Sequence, residues 1–91
     1  MAIQQTLRHG DIVVSLAGRD QGQLLAVVCC DDTGLWLADG KRRPLNRPKR
    51  KNRRHIVPAG GALEAAAMMT DRALRRALRQ FASDHQTMWE P

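Results

Sequence analysis

Aromatic side chains are nearly missing from this chain: one Phe, two Trp and no Tyr in 91 residues. Any core must therefore be aliphatic and thin. Cysteine is scarce as well. Cys29 and Cys30 stand side by side, and neighbours on an extended chain point to opposite faces, so they do not bridge one another. No second pair exists to build a disulfide framework. A reducing compartment fits, with both thiols behaving as small apolar residues. His9, His55 and His85 are far apart and form no ligand spacing, so neither a metal site nor a cofactor is expected. No nucleophile–base pair and no phosphate-cradling loop leading into a helix is present, and an enzyme with a small-molecule substrate is not expected. Nothing approaches the ~20 apolar residues of a membrane span. Met1 to Gly10, with Gln4, Gln5, Arg8 and His9, has no apolar run of signal-peptide length. The expected location is the cytoplasm, without a membrane partner.

Acid is missing where base is densest. Between Lys41 and Arg54 stand Lys41, Arg42, Arg43, Arg47, Lys49, Arg50, Lys51, Arg53 and Arg54, without one Asp or Glu. The whole chain is +6, so outside these nine bases it is net −3. A mildly acidic protein carrying one concentrated basic segment suggests a polyanionic partner. Hydrophobic residues at 43% exclude a disordered composition, and 91 residues allow one small domain.

The remaining pattern is mainly β. Residues 1–9 read as a flexible lead-in. Ile12 to Leu16 and Leu24 to Cys30 are apolar and β-branched, and read as strands on either side of the reversal Gly18-Arg19-Asp20-Gln21-Gly22. Asp31 to Gly34 is a turn, Leu35 to Ala38 a short strand, and Asp39-Gly40 a hairpin-type turn. Pro44 and Pro48 forbid a helix through the basic segment and point to loop or edge strand. His55-Ile56-Val57 reads as a last strand before Pro58. About five short strands within residues 10–58 argue a closed barrel, because closure removes exposed edges. Residues 59–61, with Gly60-Gly61, read as a linker. Beyond them Leu63, Ala67, Thr70, Leu74, Leu78 and Phe81 fall within about 80° on a helical wheel, opposite Arg72, Arg75, Arg76 and Arg79. The spacing predicts an amphipathic helix over 62–84 and a frayed tail over 85–91. The alternative start is Thr70 as N-cap with Asp71 beside the positive helix end.

Three spaced motifs carry a family resemblance: Gly18-Arg19-Asp20-Gln21-Gly22, then Ala38-Asp39-Gly40-Lys41, then Pro48-Lys49 running on to His55-Ile56. Together, over residues 10–57, they resemble a KOW module, most nearly the bacterial members of a family of KOW-containing ribosomal proteins. Gln21 departs from that pattern, where lysine is common, and takes a positive charge out of the turn. The resemblance implies an SH3-like barrel that binds RNA, ribosomal RNA first, in association with the ribosome or translation.

The residues support that expectation on their own account. Glycine turns let backbone amides approach a phosphate. Arg19 at a turn tip can fork onto phosphate oxygens, and six Arg against three Lys in the basic segment favours bidentate contacts. The expected RNA-contacting set is Arg19 with the nine bases from Lys41 to Arg54; Gly18, Asp20, Gly22, Asp39 and Gly40 are expected to shape the turns. Other readings stay open. Arg19 can instead pair with Asp20 or Asp39, Trp36 can fill the barrel or stack on a base, and the helix arginines can be a solvated back or a second binding face. A protein-interaction adaptor of the transcription or translation machinery is the alternative function, using the barrel and the helix's apolar face near Met68 and Met69.

Overall fold

The computed structural model describes residues 7–85. Five strands, β1 (Asp11–Ser15), β2 (Leu24–Cys30), β3 (Gly34–Ala38), β4 (Lys49–Asn52) and β5 (Ile56–Ala62), precede one helix, α1 (Asp71–His85). All strand pairs are antiparallel, in the order β4-β3-β2-β1-β5. Short 3-10 turns occupy Gly18–Asp20, Arg53–His55 and Ala65–Met68.

Strand order and turn length together make the sheet a barrel. β4 and β5 lie on opposite edges, yet only Arg53–His55 separates them in sequence. Three residues span at most about 10 Å, so the sheet must curl until its two ends come together at that turn, although β4 and β5 do not pair with each other along their length. Hydrogen bonds anchor both ends of the connecting turn to neighbouring strands: the Arg53 amide donates to the Thr33 carbonyl, just before β3, at 3.2 Å, and the Leu16 amide, just after β1, to the His55 carbonyl at 2.7 Å. The mainly β fold, a small barrel followed by one C-terminal helix, is the one the sequence predicts.

Alternation sorts the strand residues onto two faces. Leu7, Val13, Leu25, Val27, Leu35, Leu37 and Ile56 fill the barrel interior. Ile12, Leu24, Ala26 and Ala38 line the outer face, where Met68, Leu74, Leu78 and Phe81 cover them. The sheet is thus buried on both sides, which is why β2 reads as an unbroken apolar run. No helix among the described residues is long and apolar enough to cross a membrane.

Several expected boundaries move. β5 runs on through Pro58 and Gly60-Gly61, which do not form a linker. Its pairing with β1 shifts from Val13–Pro58 to Asp11–Ala62, so the glycines sit in a bulge on an edge strand, where Pro and Gly are tolerated. The helix starts at Asp71, not at 62. Thr70 caps it, its Oγ1 accepting from the Ala73 amide at 3.0 Å, so Leu63 and Ala67 belong to the approach and Met68 supplies the buried contact. The lead-in is partly ordered: Leu7 is buried in the interior. Cys29 and Cys30, free thiols at the end of β2, are exposed rather than packed. His85 is the last helical residue and stacks on Phe81. The rest of the expected tail, and residues 1–6, lie outside the described residues.

Candidate nucleic-acid interface

The basic segment leaves β3 through a turn built by Asp39. Its Oδ1 accepts from the Lys41 amide at 2.8 Å and the Arg43 amide at 2.9 Å, and Gly40 takes φ +81°, which favours glycine. Gly40 also lies against α1: a Cβ there would run into the Asp71 carbonyl oxygen. From the helix side the Asp71 carboxylate accepts the Leu45 amide at 2.7 Å. The loop between β3 and β4 is therefore tied to the first turn of the helix before it enters β4 as an edge strand.

Within this frame the bases divide by task. Asp20 is 2% exposed, and its Oδ2 faces two cations, the Arg43 Nη2 at 3.2 Å and the Lys51 Nζ at 3.8 Å. Arg43 adds a 3.4 Å contact through Nε, and Lys51 also donates to the Ala17 carbonyl at 3.1 Å. A carboxylate so deeply buried requires such compensation. Arg50 forks onto Asp31, Nε to Oδ2 at 3.0 Å and Nη2 to Oδ1 at 3.1 Å, and reaches the Thr33 hydroxyl at 2.8 Å. That guanidinium, helped by the Thr33 and Gly34 amides, holds the Asp31 carboxyl down to about 2. Arg53 donates to the Asp31 carbonyl at 3.3 Å.

Arg43, Arg50 and Lys51, which the sequence predicts to contact RNA with the other bases, are thus committed to carboxylates of the protein itself. Asp20, expected to shape its turn, is also the buried counter-charge that closes the barrel. Among the described residues no ion pair engages Arg19, Lys41, Arg42, Arg47, Lys49, Arg53 or Arg54. All of these except the half-buried Arg53 are exposed. Arg19 stands at the tip of the Gly18–Asp20 turn, paired with neither Asp20 nor Asp39. Gly18 and Gly22 carry φ of +77° and +83° and give that turn its shape.

Trp36 is half-buried on the outer face of β3, opposite Arg50 of β4 and Cys29 of β2, and belongs to neither core cluster. The helix brings in bases the sequence had set apart. Leu74 and Leu78 point at the sheet, so Arg75 and Arg79, one position further on, come up beside the basic loop. Lys41, Arg42, Arg75 and Arg79 border one cleft of about 510 Å³. The signal for this was present in the arginines four apart, but it needed the helix's docking side to be read. The same docking buries the helix's apolar face and Met68 against the sheet, leaving only Met69 of the methionine pair exposed. That covers the helix's apolar face, one of the two surfaces of the adaptor alternative, and leaves the barrel as the other.

Compared with known proteins, the chain matches no protein-family model and no curated protein.

Proposed function

We propose that this protein is a non-catalytic RNA-binding module of the cytoplasm, of the KOW kind that its turn motifs resemble, and that it contacts ribosomal RNA through phosphates. The observation that carries the reading is the partition of charge. Asp20, Asp39 and Asp71 are all engaged within the protein and hold the basic loop, while Lys41, Arg42, Arg47, Lys49 and Arg54 face solvent without an acidic partner among the described residues. A loop fixed by its own carboxylates presents cations whose ordering cost is largely met by folding. Phosphate contacts dominate such binding because side chains that read bases are scarce on this surface.

Titration of a folded ribosomal RNA fragment by fluorescence anisotropy at several salt concentrations tests the reading. Contact with roughly four to six phosphates gives log K against log salt a slope of about −3 to −5. A flat salt response overturns it and favours a protein partner. Crosslinking in cells, followed by sequencing of the bound RNA, identifies the transcript.

A further inference from the structure

The cleft between the basic loop and α1 has a composition that simple phosphate tracking does not require. Its rim is cationic: Lys41 and Arg42 on the loop side, Arg75 and Arg79 on the helix side. Its floor is aliphatic, formed by Leu24 of β2 with Leu78 and Ala82 of α1. Asp39 is the one acid among the lining residues, and its Oδ1 is occupied by the Lys41 and Arg43 amides. A volume of about 510 Å³ suits a small ligand rather than a duplex. The two walls are also held in register, by the Asp71–Leu45 hydrogen bond and by Gly40 abutting the first helical turn.

We infer that this cleft takes one nucleoside monophosphate unit, its base lying on the aliphatic floor and its phosphate among the four cations. An amphipathic cavity with an apolar bottom and a cationic rim matches that ligand. An inorganic anion would leave the floor unused, and an acidic peptide would find one short concave site rather than a groove. The unit has two sources, an unpaired nucleotide of an RNA chain or a free nucleotide. The RNA source rests on the function proposed above, and on it the helix becomes half of the binding surface. Because the floor has no aromatic ring, selectivity among bases is small.

The test is a titration of the intact protein with adenosine 5′-monophosphate, followed by methyl NMR. Saturable shifts are expected at Leu24, Leu78 and Ala82, with adenosine and inorganic phosphate each binding at least tenfold more weakly. The double substitution Arg75→Gln with Arg79→Gln, on the cleft edge of the helix, should weaken the nucleotide tenfold or more, and Lys at both positions should restore most of it. Ser83→Trp, which fills the cleft mouth without changing charge, should do the same as the Gln pair. Equal shifts from inorganic phosphate, or none at the floor methyls, overturn the inference. A parallel arm with single-stranded and hairpin RNA separates the sources. RNA binding at full strength by Ser83→Trp, with floor methyls silent, sinks the cleft and leaves the phosphate-contact reading standing. Nucleotide binding without any RNA binding sinks that reading and assigns the cleft to a free nucleotide.

Discussion

Asp20 concentrates the electrostatic cost of this fold in one side chain. It is 2% exposed and satisfied by Arg43 and Lys51, one near the start and one near the end of the basic segment. Asp20→Asn leaves both cations without their counter-charge, and the expected loss is about 3 kcal/mol of unfolding free energy, read by urea denaturation. Arg19, next to it but exposed, should behave oppositely. Arg19→Ala should leave stability within about 0.5 kcal/mol and weaken RNA binding by about 1.5 kcal/mol, the scale of a charge-assisted hydrogen bond. Asp31 gives a pH signature. Its carboxyl is lowered from 3.8 to about 2 by Arg50, so the pair's contribution is complete above the unfolded value and fades as pH falls toward 2. Arg50→Ala should return the Asp31 carboxyl toward its ordinary value in an NMR titration.

At the scale of elements, one close approach ties β5 to α1. Gly61 sits under Phe81, and a Cβ there would lie 2.5 Å from the ring. Gly61→Ala should therefore destabilise by about 1–3 kcal/mol as the ring is displaced, and should do so less in a Phe81→Leu background. Thr70→Ala, removing the helix cap, should cost about 1 kcal/mol. These are also the places where sequence reading reached its limit. β1, β2 and β3 were legible because their β-branched and aliphatic runs end at glycine turns. β5 was legible only at its start, Ile56-Val57, because Pro58 and Gly60-Gly61 are breaker signals in isolation and become acceptable only on an edge strand with a bulge. The helix was read too long because Leu63 and Ala67 keep phase with Leu74, whereas the Thr70 cap decides the start. Of the candidate site, the basic segment was plain. The diversion of Arg43, Arg50 and Lys51 to internal carboxylates was not, since their partners lie in other turns of the chain.

For the whole molecule, the arrangement predicts which reversals of charge act on binding and which on folding. Arg47→Glu with Arg54→Glu should reduce affinity for RNA far more than Arg72→Glu with Arg76→Glu, whose side chains are exposed on the helix and absent from the cleft. Neither pair should change the circular-dichroism spectrum, because none of the four takes part in an internal ion pair among the described residues. Arg43→Glu, in contrast, sets a carboxylate against Asp20 and should unfold the protein before binding can be measured. If the helix pair proves the more damaging, the interface lies on the exposed back of α1 and not on the basic segment.

The strand β4 has a second consequence, for the solution state of the protein. It ends the sheet order with the sequence Lys49-Arg50-Lys51-Asn52, so one side of its backbone is not paired within the sheet. A bare edge of this kind is a template on which another copy can add its own strand, and lysine is the usual deterrent. The exposed cations of β4 therefore repel an approaching copy at the place where two barrels would otherwise zip together. Neutralising Lys49 to Thr should produce association that grows with concentration in sedimentation, and high salt should have a similar effect on the unaltered protein. On this account the positive strand serves two ends: it draws in a polyanion and keeps the barrels apart.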